Sequence, residues 1–298
     1  MPRPQVIVQI FGGLGNQLFQ YAMGRRLALA NDVPLVLDHI SGFARDFYRR
    51  KYTLDKFNIQ GCKIDASPYL SVAGRVRRRL DRWVNRGRSL EQKSYVEERP
   101  AGVFNPGLLD CKIRRRVYFE GYWQYEDYFA DIAEKIREDL CITSAHDVVN
   151  IELARRISAV NAVCLHVRRL RRDTVAANAQ TPGARDKPPV DVNYYQRALN
   201  WMAERVPNPH FFVFADHPDW AREHVQTPFP VEFVTHNGPG KDYEDFWLMT
   251  QCRHFVIASS TFSWWAAWLG VGADKLVVAP QSSLGNLLVS IPPRWVAL

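Results

Sequence analysis

The feature that most constrains the fold is a repeated alternation of short, β-branched apolar runs with segments of helical periodicity. The first run, Val6 to Phe11, ends at Gly12-Gly13, and a helical pattern follows from Gln17 to Ala30. A further strand-like run covers Val33 to Leu37. Strands that are apolar on both faces are typical of parallel sheets covered by helices. The opening of the chain therefore predicts an α/β fold.

A second series of the same kind begins near residue 150. Its segments in chain order are helix 150–158, strand 162–167, helix 193–205, strand 210–215, strand 231–234, helix 243–252, strand 254–258, helix 263–269 and strand 276–279. The chain has 298 residues, and single cores stop growing at about 250 to 300 residues. We therefore predict two α/β domains, residues 1–148 and 149–298, although no Gly/Ser-rich linker marks the boundary.

The net charge of +8 is concentrated in one short segment. Residues 75–88 hold seven arginines and one aspartate, and the rest of the chain is nearly balanced, unlike a nucleic-acid-binding surface. In a helix, Val76, Leu80, Trp83 and Val84 form one stripe among these arginines. This pattern is typical of a helix at an anionic membrane surface. The alternatives are a solvated helix that packs its apolar face, and a nucleic-acid-binding helix.

The remaining composition favours a cytoplasmic protein. Five scattered cysteines form no Cys-x-x-Cys pair, which argues against a disulfide framework or a structural zinc site. The first residues lack the apolar stretch of a signal peptide, and no run of about 18 apolar residues occurs. We expect a cytoplasmic location, with peripheral contact at the inner face of the membrane through residues 75–88.

The first candidate binding motif is GGLGNQLFQYA, residues 12–22, between a strand and a helix. Glycines allow close backbone approach, and a helix N-terminus attracts anions such as a pyrophosphate. A tight turn capped by Asn16 is the alternative. The motif is not a dinucleotide fingerprint, because Leu18 stands where the third glycine is needed.

The second candidate motif is His166-Val167-Arg168-Arg169 at the end of a predicted strand. Alternation along the strand places His166 and Arg168 on the same side, and an arginine fork suits a phosphate. A solvated basic loop is the alternative, since arginines continue to Arg172.

The third candidate motif runs from Ser259 to Trp265, between a strand and a helix. Its hydroxyls and backbone amides form a second anion cradle, for which a simple N-cap is the alternative. We expect Trp264, Trp265 and Trp268 to be core residues. Asp216, His217 and Asp219 end another strand and suggest a metal site or a general base, but no D-x-D sequence occurs and we expect no metal.

In this order the three motifs resemble the α-1,2-fucosyltransferase family of glycosyltransferases. The resemblance rests on GGLGNQLFQYA at 12–22, HVRR at 166–169 and SSTFSWWAAWL at 259–269. Landmarks between them also match: Asn193-Tyr194-Tyr195, FADHPDW at 214–220, and Asp245 ahead of LMTQCRH at 248–254. The resemblance covers nearly the whole chain.

The family resemblance implies a GT-B-like fold of two Rossmann-like domains, the first on the acceptor side and the second binding GDP-fucose. The implied reaction is an inverting, metal-independent transfer of L-fucose from GDP-β-L-fucose to a galactose-type hydroxyl, in surface polysaccharide or lipopolysaccharide assembly. GDP-fucose is then a substrate, and no cofactor is expected. The acceptor glycan could be lipid-linked, and no nucleic acid takes part.

The resemblance also implies residue roles. Arg168 and His166 would be catalytic and would hold the pyrophosphate, with Arg168 offsetting charge as GDP leaves. The other implied donor-binding residues are Gly13, Gly15, Asn16, Gln17, Asp216, Asp245, Ser260, Thr261, Phe262 and Ser263. Among them, Asp245 would accept hydrogen bonds from the guanine edge.

The sequence departs from the family pattern at several positions, of which the changes after His166-Val167-Arg168-Arg169 concern the acceptor more than the donor. The acidic residue of the H-V-R-R-G-D pattern is displaced to Asp173, and His217 and Ser259 replace a usual aspartate and asparagine. The general base is not identified, and Asp38, Glu120, Asp173 and Asp216 are the candidates. A fucosyltransferase of another linkage, or another nucleotide-sugar transferase, is the close alternative, and a nucleic-acid-binding protein is the distant one.

Overall fold

The structure is a computed structural model that describes residues 3–44, 46, 48–65, 67–168, 192–281 and 290–298. It divides into two compact units, Met1–Ser144 with Leu288–Ser290, and Ala145–Leu287 with Ile291–Leu298. The predicted boundary, residue 148, is the first residue of a helix in the second unit.

The first unit is a five-stranded parallel sheet with helices. Its elements are β1 (Gln5–Gln9), α1 (Leu14–Ala30), β2 (Leu35–Asp38), β3 (Cys62–Lys63), α2 (Val72–Val84), β4 (Tyr95–Glu97), β5 (Arg116–Glu120) and α3 (Ala133–Asp139). Short 3-10 helices cover Leu54–Lys56, Leu90–Gln92, Pro106–Leu108, Glu126–Tyr128 and Ala130–Ile132. The strand order is β3-β2-β1-β5-β4, with every described pairing parallel. β2 and β3 lie in succession on one side of β1, and β5 and β4 lie in succession on its other side.

The second unit is a six-stranded parallel sheet. Its elements are α4 (Val148–Ser158), β6 (Asn161–Val167), α5 (Val192–Ala203), β7 (Pro209–Ala215), α6 (Pro218–His224), β8 (Val231–Val234), α7 (Asp242–Thr250), β9 (His254–Val256), α8 (Thr261–Leu269), β10 (Val277–Ala279) and β11 (Val296–Ala297). The order β11-β10-β9-β6-β7-β8 is that of the doubly wound Rossmann fold. The predicted α/β class with two Rossmann-like units, as in GT-B enzymes, is thus confirmed.

In the second unit β7 and β8 are added in succession on one side of β6, and β9, β10 and β11 on its other side. The strand order therefore reverses between the neighbours β6 and β9. In open α/β sheets a ligand crevice forms at such a reversal, outside the carboxyl ends of the strands. In the first unit the corresponding reversal lies between β1 and β5, and the glycine loop at Gly12-Gly13 follows β1 there.

The start of α1 corrects two expectations from the sequence. The helix begins at Leu14, three residues before the predicted start, and its N-cap is Gly13. Asn16 is therefore not the cap but lies in the first turn. Gly12 adopts a φ of +79°, and a Cβ there would stand 2.7 Å from the Asn16 amide nitrogen, so the turn requires glycine.

Aromatic side chains fill the cores of both units. In the second unit Trp264, Trp265 and Trp268 are buried on α8 and pack against one another, as predicted. In the first unit, Tyr95 and Tyr118 stack with ring centroids 5.7 Å apart. The indole rings of α8 thus lie in the core, and its polar residues Ser260, Thr261 and Ser263 lie at its N-terminal end.

Helix α2 presents its apolar residues to solvent and its polar residues to the rest of the first unit. Its apolar stripe is exposed, whereas the polar residues Asn85 and Asp81 lie on the side that contacts the rest of the unit. The alternative of a solvated helix with an apolar packed face is therefore wrong. Among the described residues, no helix has the length and apolar character needed to cross a membrane.

Asp38 anchors the loop that follows β2. Its carboxylate is fully buried and accepts hydrogen bonds from the Ile40 and Ser41 N–H groups at 3.1 and 3.0 Å. The hydroxyls of Ser41, Ser67 and Tyr118 donate to it at 2.8, 2.6 and 2.7 Å. Burial alone would raise the pKa of Asp38, but these bonds hold it below its ordinary value. Asp38 thus stabilises the loop as a carboxylate, a role that leaves no lone pair for an acceptor hydroxyl.

We predict that Asp38→Asn lowers the free energy of unfolding by about 2–3 kcal/mol at pH 7, because one charged acceptor of buried donors is lost. The pKa of Asp38 is lower in the folded than in the unfolded state. The carboxylate therefore stabilises the folded state fully above about pH 4, and this stabilisation is lost as the pH falls through the folded-state pKa. Urea unfolding at pH 7 and pH 3 measures both effects. Asp65→Asn, at an exposed position, is the control and should change stability by less than about 0.5 kcal/mol. An equal loss in both variants would contradict the role of Asp38.

Candidate active site

The candidate site of the second unit lies where β6 and β9 end side by side. His166 is the penultimate residue of β6, Arg168 follows the strand, and Ser260 follows β9 and caps α8. Ser260 is 92 positions from Arg168 in the sequence, and the parallel pairing of β6 with β9 brings the two residues to one sheet edge.

His166 is buried and held by α8. Its Nδ1 lies 2.8 Å from the Ser263 hydroxyl oxygen, which is 3.4 Å from the Ser260 carbonyl. Burial, together with the nearby Arg168 charge, lowers the pKa of His166 to about 3. The imidazole is therefore neutral at physiological pH, and it can act on a ligand by hydrogen bonding rather than by charge.

Arg168 is half-buried and fixed through its backbone. Its N–H donates to the Tyr195 hydroxyl at 3.1 Å, and its guanidinium Nη1 lies 3.5 Å from the Ser260 hydroxyl oxygen. The neighbouring Tyr194 hydroxyl lies 2.7 Å from the Ile257 carbonyl and 3.1 Å from that of Val278. The Asn-Tyr-Tyr landmark thus ties α5 to the sheet and positions Arg168, a role that the sequence motif by itself did not indicate.

The N-terminal turn of α8 completes this cluster. The Ser260 hydroxyl accepts from the Phe262 N–H, and Thr261 is the first helical residue. The Phe262 ring lies 5.9 Å from the His166 ring and 5.3 Å from that of Phe246, centroid to centroid. A guanidinium, two hydroxyls, a neutral imidazole and a helix N-terminus together form a site that can hold an anionic group beside an aromatic surface.

Asp245 lies in the first turn of α7, next to Phe246. Its Oδ1 accepts a hydrogen bond from the Asn237 amide at 2.8 Å, and Asn237 is joined to the fully buried Asn150. Burial raises the pKa of Asp245 to about 6, against the opposing effects of Asn237 and His236. The carboxyl group therefore titrates close to physiological pH.

A second buried carboxylate, Glu244, fixes the same turn. Its two oxygens lie 2.8 Å from the His146 Nδ1 and 3.1 Å from the Asp147 N–H. His146 also stacks on Trp247, with centroids 3.7 Å apart. The sequence analysis missed Glu244 and Asn150. The signal in the sequence was that each is a polar residue on the apolar face of a predicted helix.

The remaining carboxylates are placed unequally for proton transfer. Asp216 follows β7 at the same sheet edge and is exposed. Glu120, at the end of β5 in the first unit, forms ion pairs with Arg78 and Arg82. Asp173, like Arg169 and the polar loop up to Pro189, lies outside the described residues. The assignment of the general base stays open.

The glycine-loop residues group around the start of α1 in the first unit. Gly13 is half-buried, and a Cβ on it would meet no atom within 4 Å, whereas Gly15 is buried. The Asn16 Oδ1 accepts from the Gln124 amide at 2.9 Å. Gln17 is buried. Its side-chain NH₂ donates to the Gly12 and Lys51 carbonyls, and its Oε1 accepts from the Thr53 N–H.

These bonds give Gln17 a supporting role for the loop rather than a free amide toward a donor. The donor contacts expected for Gly13, Gly15, Asn16 and Gln17 stay predictions. In the part of the chain that the structure describes, no three His, Cys, Asp or Glu side chains are grouped as they would be around a metal ion.

Fold and site together define a Rossmann-type protein with a sheet edge whose groups can hold an anion. The sequence profile of glycosyl transferase family 11 matches residues 105–286. The chain belongs to this family and is a glycosyltransferase.

Three proteins illustrate the similarity. The chain is 28% identical to an alpha-1,2-colitosyltransferase of Escherichia coli over 98% of both chains, and 30% identical to the O-antigen biosynthesis glycosyltransferase WbnK of Escherichia coli over 91% of this chain and 92% of that one. Galactoside alpha-(1,2)-fucosyltransferase 2 of Gorilla gorilla gorilla is 37% identical over 36% of this chain and 34% of its own. The family predicted from the motifs is thereby confirmed.

A solved structure supports the fold alone. A mutant of Arabidopsis thaliana FUT1 in complex with GDP superposes with a TM-score of 0.50 at 12% identity, over 94% of this chain and 71% of that one.

We predict that the His166 imidazole stays neutral from pH 8 down to about pH 4, because burial and the Arg168 charge lower its pKa to about 3. Side-chain nitrogen NMR of the labelled protein measures this, with the His166→Gln spectrum identifying the signal. A titration midpoint near 6.5, the value of an exposed histidine, would contradict the described environment.

Proposed function

We propose that the protein is an inverting α-1,2-fucosyltransferase that moves L-fucose from GDP-β-L-fucose to a galactose-type hydroxyl of a glycan. The observation that carries the proposal is the cluster of His166, Arg168, Ser260 and Ser263 at the strand reversal of the second unit. Support comes from the relatives, which include galactoside alpha-(1,2)-fucosyltransferases and a protein named for O-antigen biosynthesis. The acceptor we infer is a surface polysaccharide or lipopolysaccharide under assembly.

The cluster suits a nucleoside diphosphate in the second unit. Arg168 carries a permanent charge whose fork matches phosphate oxygens, and the turn at Ser260 to Phe262 adds backbone donors and the helix dipole. In the tautomer that we propose, the Ser263 hydroxyl donates its one proton to Nδ1 at 2.8 Å rather than to the Ser260 carbonyl at 3.4 Å. The proton on Nε2 is then available for a phosphate oxygen. In this proposal the Arg168 charge and the neutral donors of the cluster surround the leaving group.

The proposed reaction requires stabilisation of the negative charge that develops on the phosphates of the leaving GDP. The bond between the fucose anomeric carbon and the β-phosphate oxygen breaks with its electron pair on GDP. The acceptor oxygen attacks from the opposite face and gives up its proton to a general base, for which Glu120, Asp173 and Asp216 are the candidates. Negative charge grows on the phosphate oxygens as an oxocarbenium-like state forms, and Arg168 stabilises that charge. We therefore propose that no metal ion is required.

We further propose that Asp245 recognises the guanine base. An ionised carboxylate can accept two hydrogen bonds from the N–H groups along one guanine edge. The ring of Phe246, the residue after Asp245, contacts the ring of Phe262, which provides an aromatic face near the carboxylate. The Asn237–Asn150 pair holds the Asp245 side chain in place from behind. The first unit, with Gly13, Gly15, Asn16 and Gln17 near its own strand reversal, then serves the acceptor and the transferred sugar.

A donor with a closely related sugar is the second candidate, because one full-length relative is named as a colitosyltransferase. Colitose lacks the C3 hydroxyl of fucose, whereas the diphosphate and guanine contacts proposed for the second unit would be the same. The donor sugar therefore has to be decided by direct comparison.

We predict that the enzyme turns over GDP-fucose in a panel of nucleotide sugars, without loss on addition of a chelator, and that Arg168→Ala lowers kcat by about 10²–10³-fold. Release of GDP and NMR of the product measure rate, linkage and anomeric configuration. Arg168→Lys keeps the charge but not the fork and should retain intermediate activity.

The matched control is Arg155→Ala, an exposed arginine on α4 of the same unit, which should retain full activity. Turnover of another donor with none of GDP-fucose would refute the proposed donor. A retained anomeric configuration would refute inversion, and a folded Arg168→Ala enzyme with full activity would remove Arg168 from the mechanism.

We predict that GDP-fucose binds more weakly as pH falls from 7.5 to 5, because protonation of Asp245, with a pKa of about 6, removes one of its two acceptor oxygens. The ionised form binds and the protonated form binds much more weakly, so the dissociation constant should rise by up to about tenfold between pH 7.5 and pH 5. The donor itself does not titrate here, since each of its two phosphates has one ester bond and one anhydride bond and keeps only a single, strongly acidic proton. Calorimetry without acceptor measures the effect.

Asp245→Asn should bind weakly at every pH and lose this dependence. Asp219→Asn, at an exposed carboxylate of α6 in the same unit, is the control and should keep both affinity and pH dependence. A pH profile of Asp245→Asn that matches the unmodified protein would exclude Asp245 from the guanine contact.

A further inference from the structure

Helix α2 of the first unit displays an apolar stripe to solvent. Val72, Val76, Leu80 and Trp83 are 68%, 52%, 56% and 69% exposed, and they fall on one side of the helix at spacings of four, four and three residues. Isolated exposed apolar residues are common, but a continuous stripe ending in a tryptophan marks an interaction surface.

The opposite side of α2 fixes this orientation through polar contacts. Gly74 is buried, and a Cβ there would stand 2.3 Å from the Pro68 carbonyl oxygen. Asp81 accepts from the Tyr69 hydroxyl at 2.9 Å, Arg78 donates to the Tyr95 hydroxyl at 3.1 Å, and Arg82 pairs with Glu97 at 2.8 Å. The helix cannot rotate its apolar stripe inward without breaking these bonds.

Arginines flank the exposed stripe on both sides. At 100° per residue, Arg75 and Arg79 lie along one border of the stripe and Arg77 along the other, and Arg86 and Arg88 continue beyond the helix end. All of these except Arg75 are exposed. The side chains therefore form an apolar centre with a cationic border.

We propose that the exposed side of α2 binds peripherally to an anionic membrane surface, with Val76, Leu80 and Trp83 in the interface and the flanking arginines at the phosphate headgroups. An interfacial helix has this arrangement, because apolar side chains enter the acyl boundary while long cationic side chains reach outward to the lipid phosphates. The proposal is independent of the donor and acceptor proposed above.

The charge pattern favours a membrane over the other occupants. A second copy of the chain would bring two arginine borders together around one apolar contact, and the like charges would repel. A nucleic acid would satisfy the arginines but would leave the apolar stripe without a partner. Anionic lipids complement both the charge and the apolar surface.

The test is flotation of the full-length protein with vesicles of phosphatidylglycerol and phosphatidylethanolamine, compared with phosphatidylcholine alone. We expect binding to the anionic vesicles that weakens at high salt, because surface charges are screened. Arg77→Gln with Arg79→Gln should weaken binding roughly 25-fold, since each arginine contributes about fivefold. Leu80→Ser with Trp83→Ser should weaken it at least about tenfold.

Matched controls separate this surface from general charge and apolarity. Arg114→Gln with Arg115→Gln removes the same charge from an exposed loop of the first unit, and Val148→Ser with Val149→Ser removes exposed apolar groups on α4. Both controls should float like the unmodified protein, and all four variants should keep their circular dichroism and unfolding midpoint.

Three outcomes would overturn the proposal: no anionic-vesicle binding, equal loss of binding in the α2 and control variants, or binding to duplex DNA with none to vesicles. A dimer in sedimentation that Leu80→Ser with Trp83→Ser dissociates, without vesicle binding, would assign the stripe to self-association instead. Each readout omits the donor sugar, so a failed proposal here is distinct from a failed fucosyltransferase assignment.

Discussion

Parallel pairing of the strands is the constraint on which the rest of each unit depends. When all strands of a sheet run the same way, their carboxyl ends meet at one edge, and the reversal of strand order leaves a crevice there. The second unit uses its reversal, between β6 and β9, to bring His166 and Arg168 next to Ser260. The first unit places the glycine loop after β1 at its own reversal.

Buried hydrogen bonds give that edge a fixed geometry. His166 is neutral and its imidazole is bonded to Ser263, and the backbone of Arg168 is bonded to Tyr195. A low-dielectric setting strengthens such bonds and makes an unpaired polar group costly. The same principle explains the Asn150–Asn237 support behind Asp245.

Periodicity predicted most of the elements, because hydrophobic patterning reports burial directly. The β8 strand has its predicted bounds, and the helices of the second unit differ mainly at their ends. Helix α6 and strands β3, β4, β5 and β11 were not predicted, since they are short or lie in aromatic and polar segments without clear alternation. Asn16 lies inside α1 because the backbone of Gly12 forms the tight turn earlier than the apolar pattern indicates.

The sequence by itself determined the α/β class, the family and the positions of the three candidate binding motifs, because these depend on local pattern and spacing. Only the tertiary structure decided which polar groups meet. Gln17 supports the loop at Lys51, Asp38 is enclosed by hydroxyls from distant segments, and the arginines of α2 divide into a half-buried and an exposed set. Periodicity identifies the sides of a helix, but the orientation of α2 follows from Glu97, Tyr69 and Tyr95, which pair with its polar side from outside the helix.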